Sequence, residues 1–294
     1  MTLSRRHLLQ LSGAAAAPSA PAPVLIVASD ATWLECAGGT VALRIAAGAP
    51  AILVRAANDE KESWGLTREE TAWRNRTENE AAAKLLGISE VVSLGYQSSE
   101  MQSVPHTSLR DRLILLIRRH RPSALFIPNP HTEHDRNLDR YYIGAAAEDA
   151  WHCARFENFL PAVTSSGLAP YIVPDLFYFA PPLDPRRREP EAPATFVPKP
   201  VRVDISSTFP KKLRAALALR TINHARAMRL KQSLEANGRR LPLLDTVNDR
   251  SAALLAEENL RGLAALSAEG SPYKLAEEFR HAGIEYGIPS KYLR

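Results

Sequence analysis

The stretch that most limits the fold of this chain lies near its N-terminus, at residues 24–42, with the sequence VLIVASDATWLECAGGTVA. Four consecutive apolar residues, Val24 to Val27, predict a buried parallel strand. The segment from Ser29 to Ala37 is interpreted as a loop, and Gly38-Gly39-Thr40 as the opening of a helix. In open α/β sheets, ligands bind where such loops leave the carboxyl ends of strands. We therefore take this loop as the first candidate for a functional site.

Strand-like and helix-like segments alternate along the rest of the chain, which favours a parallel sheet. This pattern predicts an α/β fold with a Rossmann-like, mainly parallel sheet flanked by helices, in a single domain over residues 23–294. An unrelated Rossmann-like binding or redox protein is an alternative, although residues 24–40 lack the Gly-x-Gly-x-x-Gly fingerprint. Predicted strands begin at Ala51, Val91, Pro122, Leu176 and Val201, and predicted helices begin at Thr71, Ser108 and Ser251.

The N-terminal segment is interpreted as a targeting signal rather than as part of the fold. Arg5 and Arg6 precede a short, weakly apolar segment and then PSAPAP, a pattern that resembles a twin-arginine export signal. We expect residues 1–22 to direct export to the bacterial periplasm or the exterior, with a disordered basic leader as the alternative. The two cysteines, Cys36 and Cys153, predict no disulfide framework, and Cys36 is interpreted as a small buried hydrophobic residue.

The stretch at 24–42 resembles the opening motif of the PIG-L/LmbE-like N-deacetylases, in which a hydrophobic strand precedes His-Pro-Asp-Asp and then Gly-Gly-Thr. The resemblance implies metal-dependent hydrolysis of an N-acetyl group on an amino sugar or a related amide. In that family the His and the second Asp bind a divalent metal, usually zinc, and the first Asp is the general base. Aligning the strand places Asp30 at the His, with Thr32 and Trp33 at the two Asp positions. Aligning the glycines instead places Ser29 at the His.

A second stretch, NPHTEHDRNLDRYYIG at residues 129–144, resembles the family's later motif, His-x-Asp-His followed by Gly four residues on. Counting back from Gly144 aligns Asn137 with the first His, Asp139 with the Asp, and Arg140 with the His that is the third metal ligand. Arginine cannot donate a lone pair to a metal. The resemblance therefore predicts an impaired or lost metal site, with Asp30, Asp139 and Arg140 as candidate catalytic residues.

Further positions are candidates for binding a substrate. Trp33 is interpreted either as a platform that stacks on a sugar ring at the mouth of the site or as a packing residue, and Asn137 is predicted to contact the ligand. Arg74 and Arg76 lie where the family often carries an Arg on the corresponding helix. Arg140 would supply a fixed positive charge for a carboxylate, a phosphate or a polar sugar. A non-catalytic carbohydrate- or anion-binding protein is therefore one alternative function.

An active zinc hydrolase with a rearranged ligand set is the other alternative. His131, His134, Asp135 and Asp139 lie in one segment, with Asp30 expected opposite. Imidazole and carboxylate groups are acceptable zinc ligands, so Asp30, His131 and His134 form a candidate metal site. The same polar residues could simply cap the following helix, with Asp135 or Asn137 as the N-cap. The cofactor prediction stays open between zinc, another divalent metal and none.

The C-terminal half adds two family-like segments and one basic stretch. Lys211-Lys212 after the strand VRVDIS, and residues 271–280, resemble a Lys-bearing helix and a closing Tyr-Ala-Glu-x-Phe segment of the family. Residues 211–240 contain nine Lys or Arg and one acid, and are predicted to form a solvated helix face rather than a nucleic-acid site. Residues 180–200 are a Pro-rich excursion. We expect a small-molecule or carbohydrate partner and no transmembrane helix, and leave the oligomeric state open.

Overall fold

A computed structural model describes residues 21–131, 137–182 and 199–283 of the chain. These residues form one seven-stranded sheet with helices on both faces. In chain order the strands are β1 (Val24–Ala28), β2 (Ala51–Ala57), β3 (Glu90–Tyr96), β4 (Ala124–Pro128), β5 (Asp175–Phe179), β6 (Lys199–Asp204) and β7 (Ala276–Gly283). They lie side by side in the order β3-β2-β1-β4-β5-β7-β6. The first five pair in parallel, and β7 pairs antiparallel with both β5 and β6.

The helices of the described residues cover this sheet on both sides. They are α1 (Thr32–Ala46), α2 (Arg68–Leu86), α3 (His106–His120), α4 (Leu138–Cys153), α5 (Pro161–Ser165), α6 (Phe209–Leu217), α7 (Arg220–Ala236) and α8 (Asp249–Ala268). None of these helices is long and apolar enough to cross a membrane. The architecture confirms the predicted α/β fold with its mainly parallel sheet.

Strand β1 lies at the centre of the sheet and is buried over its whole length. Successive side chains of a strand point to opposite faces, so β1 contributes to two cores. Val24 and Ile26 pack with residues of α1, α2, α6 and α8, whereas Leu25 and Val27 pack with residues of α3 and α4. A strand with both faces covered is expected to be apolar throughout, which explains the unbroken apolar run.

Helix α1 begins earlier than the sequence indicated. The predicted loop from Ser29 to Ala37 is wrong beyond Ala31, because Thr32 is already helical and Gly38 and Gly39 lie inside the helix. A Cβ atom on Gly39 would lie 2.7 Å from Cβ of Ile205, at the end of β6. The two glycines therefore allow another part of the chain to approach the helix closely, and they do not open it.

A buried ion pair holds α1 against the C-terminal half of the sheet. The Glu277 carboxylate on β7 accepts the backbone N–H groups of Gly39 at 2.8 Å and Thr40 at 2.7 Å. Lys212 Nζ on α6 donates to that carboxylate at 2.8 Å and to the backbone carbonyl of Glu35 at 2.5 Å. The side chains of Lys212 and Glu277 are only 1% and 2% exposed. This pair joins α1, α6 and β7, three elements that are distant in sequence.

Several smaller predictions can be compared with these elements. Cys36 is buried in α1, as predicted, and burial strongly raises the pKa of its thiol. The basic stretch at residues 211–240 forms α6 and α7, but the prediction of a solvated face is wrong for Lys212, which is buried. Most of the predicted export signal and of the Pro-rich excursion lies outside the described residues, so both stay predictions.

Candidate functional site

The candidate site is a cleft at the carboxyl ends of β1, β2 and β4, with a volume of about 550 Å³. Strand β1 lies between β2 and β4, and the connecting helices α1 and α3 pack on opposite faces of the sheet. Such a change of direction leaves a crevice in which α/β proteins bind ligands. Asp30 follows β1, Asp59 follows β2, and Arg140 follows β4, and all three line the cleft.

Asp30 is the centre of a hydrogen-bonded cluster at one wall of the cleft. Its Oδ2 accepts Nδ2 of Asn137 at 2.7 Å and Nε of Arg140 at 2.9 Å, and Nη2 of Arg140 lies 2.8 Å away. Its Oδ1 accepts the backbone N–H of Thr32 at 2.9 Å. Arg140 Nη2 also donates to the Thr32 hydroxyl at 2.7 Å. The structure thus brings together Asp30, Asn137 and Arg140, three residues that the sequence had singled out.

The charge of Arg140 governs the protonation of Asp30. Burial disfavours the ionised carboxyl, but the positive charge and hydrogen bonds of Arg140, with the N–H and hydroxyl of Thr32, lower the pKa of Asp30 below its ordinary 3.8. The two side chains are 18% and 19% exposed, so this wall of the cleft is only partly open to water. Asp30 is therefore ionised at neutral pH and held in one orientation.

Asn137 and Arg140 are positioned by the first turn of α4. Asn137 is the N-cap, as predicted, because its side-chain oxygen accepts the backbone N–H of Asp139 at 3.0 Å. One turn after Arg140, a Cβ atom on Gly144 would lie 2.5 Å from the carbonyl oxygen of Pro128, the last residue of β4. Glycine thus lets α4 lie directly against the end of β4, which brings Arg140 next to Asp30.

Asp139 does not face the cleft. Its carboxylate accepts the backbone N–H groups of Ser99 at 2.5 Å and Met101 at 3.1 Å, and the residue is 3% exposed. The prediction that Asp139 is catalytic is therefore corrected: both oxygens hold the segment that follows β3 against α4. Ser99, in this segment, has φ of 63°, a backbone conformation that needs such support.

The opposite wall contains charged residues that sequence reasoning missed. Glu62, Arg226 and Arg229 all line the cleft, and Arg229 Nη2 lies 3.0 Å from Glu62 Oε2. Arg226 pairs with Glu35 of α1, whose negative charge raises the pKa of the guanidinium. Glu62 lies in the polar loop after β2, a place where a site could have been sought. No local pattern marks the two arginines of α7.

Asp59 forms the floor of the cleft next to β2. It is 1% exposed, has φ of 55°, and pairs with Arg55. Burial raises the pKa of Asp59 to about 7, with the negative charges of Asp30 and Glu62 acting in the same direction and Arg55 opposing them. Sequence reasoning had noted the loop containing Asp59 but not the residue itself.

Three predicted ligand-binding residues lie elsewhere. Trp33 is 2% exposed and packs in the core under α1, so the prediction of a stacking platform is wrong: neither face of the ring is open to a sugar. Arg74 and Arg76 point outward from α2, where they pair with Glu70 and Glu80 at i,i−4 and i,i+4. Neither arginine lines the cleft, so their assignment to substrate binding is also corrected.

The described donors do not fit a zinc ion. His131 Nε2 lies 3.0 Å from Glu148, whose hydrogen bond raises the pKa of the imidazole, and His134 lies outside the described residues. Within the ranges that the structure covers, no three or more His, Cys, Asp and Glu side chains are grouped to hold a metal. Asp30 is the acidic member of the predicted set that faces the cleft, and its partner Arg140 would repel a dication.

Comparison with known proteins identifies relatives of part of the chain. Residues 30–150 match the model of the PIG-L family, described as GlcNAc-PI de-N-acetylase. A diacetylchitobiose deacetylase of Thermococcus kodakarensis is 26% identical over 148 residues, which make up 50% of this chain and 48% of that protein. The chain thus matches about half of that relative's length.

Two solved structures share the fold over most of its extent. An N,N'-diacetylchitobiose deacetylase from Pyrococcus horikoshii, with 21% identity, superposes with a TM-score of 0.68 over 91% of this chain and 86% of that chain. A 4-carboxy-2-hydroxymuconate hydratase from Pseudomonas putida, with 18% identity, gives a TM-score of 0.59 over 89% and 96% of the two chains. Because this fold is found in both a deacetylase and a hydratase, the fold does not determine the reaction.

Proposed function

Because residues 30–150 are similar to the PIG-L family of N-deacetylases, we propose that the chain binds a polar saccharide in the cleft between β1, β2 and β4. We further propose that the family's metal-dependent hydrolysis is lost. Arg140 and Asp30 form an ion pair where the family would hold a metal. The protein is then a carbohydrate-binding member of a hydrolase family.

A single observation carries this proposal, which is that the Asp30 carboxylate is held by Asn137, Arg140 and Thr32. Its two oxygens accept hydrogen bonds from Asn137, Arg140 and the backbone of Thr32, at 2.7 to 2.9 Å. A metal ligand needs an unprotonated, accessible lone pair and an arrangement with at least two further donors. At the family's general-base position and its two other ligand positions the chain offers a hydroxyl, a buried indole and a guanidinium, which do not provide those donors.

The balance of charge favours a neutral sugar over an anion. Three acidic residues and three arginines line the cleft: Asp30, Asp59, Glu62, Arg140, Arg226 and Arg229. Each of the three arginines has an acidic partner. An anion would have to compete with these carboxylates, whereas sugar hydroxyls donate to carboxylates and accept from guanidinium groups. The similarity to diacetylchitobiose deacetylases makes N,N'-diacetylchitobiose the natural first probe.

Within this proposal, the residues of the cluster bind and orient the ligand. Arg140 and Asn137 hold the Asp30 carboxylate in one position, and a sugar hydroxyl would donate to its outward side. Preorganised polar groups lose little conformational entropy on binding. At the family's general-base position the chain has Thr32, whose hydroxyl accepts from Arg140 and cannot take up a proton at neutral pH. We therefore assign these residues no step that cleaves an amide.

The proposal is tested on the purified chain folded in the presence of zinc. We expect elemental analysis to find substoichiometric zinc, an amine assay to find no deacetylation of N,N'-diacetylchitobiose, and calorimetry to detect binding of that sugar. Arg140→Met should weaken binding about tenfold or more, since it leaves Asp30 uncompensated. Arg76→Met is the matched control, because Arg76 is 73% exposed and lies outside the cleft.

Two outcomes would overturn the proposal. One is stoichiometric zinc that is abolished by His134→Ala and accompanies release of a free amine, which would establish the rearranged metal hydrolase instead. The other is the absence of saccharide binding by a chain that unfolds cooperatively, since a folded protein with this cleft should then have bound the probe.

We also propose that residues 1–22 direct twin-arginine export, so that the saccharide is met outside the cytoplasm. Replacement of the pair by Arg5→Lys and Arg6→Lys should retain the protein in the cytoplasm of a bacterial host, as measured by cell fractionation. Unchanged export of this variant would contradict the proposal.

A further inference from the structure

A second cavity lies beside the polar cleft, with a volume of about 250 Å³, between α1, α6, α7 and α8. Its lining is mostly aliphatic. Leu34, Leu219 and Leu260 form its base and are at most 4% exposed, and Leu230 lies at its rim with 37% exposure. An empty aliphatic pocket exposes apolar surface to water, and an apolar group that fills the pocket would remove this surface from water.

The apolar pocket and the polar cleft are adjacent. Ala31 and Arg226 line both of them. Arg226 pairs with Glu35, and Glu35 lines the apolar pocket but not the cleft. The ion pair therefore lies at the boundary between the two spaces. The Arg226 side chain is thus a shared wall, and a ligand that occupies both spaces would pass beside it.

We infer that the ligand of this protein is an amphiphile, a saccharide that carries a short alkyl or aryl substituent seated in the aliphatic pocket. This inference rests on the proposed function, because the sugar is taken to occupy the polar cleft. The pocket is larger than the roughly 150 Å³ apolar cavity that suffices for one benzene ring. A substituent of one ring or a short alkyl chain therefore fits, whereas a long acyl chain would protrude.

The test is a series of N-acetylglucosamine glycosides with methyl, butyl and hexyl groups, whose dissociation constants are measured by calorimetry below the critical micelle concentration. If the alkyl group enters the pocket, affinity should rise about two- to fourfold for each added methylene. Equal affinities along the series would overturn the inference and leave the proposed function intact. Failure of every glycoside to bind would overturn the proposed function itself.

A variant of the pocket makes the test specific to its location. Ala256 of α8 lines the pocket, and Ala256→Phe should reduce the ratio of methyl to hexyl dissociation constants to near one. Ala265→Phe is the matched control, because Ala265 is exposed on the same helix and does not line the pocket. Leu230→Ser, at the exposed rim, should lower the ratio without a bulky insertion. An undiminished ratio in both pocket variants would place the alkyl group elsewhere and overturn the inference.

Discussion

Two ion pairs make hydrogen bonds to α1, and their surroundings differ. Lys212 and Glu277 are 1% and 2% exposed, and backbone groups of α1 occupy the polar atoms that they present. Asp30 and Arg140 are 18% and 19% exposed and line a cleft. The first pair satisfies its hydrogen bonds within the protein, whereas the second can exchange part of its hydrogen bonding with a ligand.

The comparison of the two ion pairs shows that the segments predicted to resemble the family have different roles. Lys212 and Glu277, from the two C-terminal segments in which the sequence predicted a family resemblance, form the buried pair that joins α1, α6 and β7. Asp30 and Arg140, which the sequence alignment places at two positions of the family's metal ligands, form the pair in the cleft. The interactions that stabilise the fold are thus separate from those that would perform chemistry, which explains how one can be retained when the other is altered.

The largest effect is expected from removal of the buried cation. Lys212→Met leaves Glu277 charged and without its cationic partner in the interior, and should lower the free energy of unfolding by about 3–5 kcal/mol. Urea denaturation measures the change. Lys211→Met, the same substitution one residue earlier at a partly exposed site, is the control and should alter stability by less than about 1 kcal/mol. If the two variants lose the same free energy of unfolding, Lys212 does not stabilise the fold through its buried pair with Glu277.

A smaller loss of stability is expected from substitution of Gly39, whose backbone N–H donates to Glu277 of the buried pair. Gly39→Ala brings a Cβ atom to 2.7 Å from Cβ of Ile205, and overpacking of this kind should cost about 1–3 kcal/mol. Gly262→Ala in α8 is the control, since nothing lies within 4 Å of its Cβ position. That substitution should stabilise the protein by about 0.5–1 kcal/mol, because alanine favours the helix. If thermal denaturation shows that both variants lose the same stability, the close approach of Ile205 to Gly39 is contradicted.

The pair in the cleft should contribute less to stability. A double-mutant cycle of Asp30→Asn and Arg140→Met, followed by urea denaturation, should give a coupling energy of about 1–2 kcal/mol. The value is limited because solvent reaches both side chains. A coupling energy that exceeds the loss caused by Lys212→Met would show that the cleft pair, and not the buried one, is the main stabilising interaction.

The smallest effect is expected in the pH dependence of stability. The pKa of Asp30 is lowered on folding, so its contribution is complete above about pH 4 and is lost as the pH falls through the folded value. The stability difference between the wild type and Asp30→Asn should therefore shrink below pH 4. A difference that persists unchanged to pH 2 would mean that Asp30 is not held as an ionised partner of Arg140.

Much of the fold could be predicted because its central strands are apolar over their whole length. The runs at Val24 and Ala51 correctly predicted where β1 and β2 begin, although β2 extends to Ala57. Strand β7 was not predicted, since AEEFRHAG has charged or polar side chains at half of its positions. Its antiparallel pairing depends on β5 and β6, which are far away in the sequence, and the burial of Glu277 depends on Lys212.

The part of the site that lies next to a strand end was predicted from the sequence. The part that is lined by α7 was missed. Asp30, Asn137 and Arg140 follow β1 and β4, and the resemblance to two family motifs next to these strands singled them out. The same reasoning failed for Trp33, because α1 begins at Thr32 and turns the ring into the core. Arg226 and Arg229 reach the cleft through the packing of α7, which no local pattern records.

The match to the family model at residues 30–150 is called the signature below. The position of α7 bears on how proteins that share this signature come to bind different ligands. The matched residues 30–150 supply most of the cleft lining, whereas Arg226 and Arg229 come from outside them. Changes in α7 can therefore alter the choice of ligand while the signature stays the same. Two chains with identical signatures can in this way select different molecules, and classification by the signature alone would group them together.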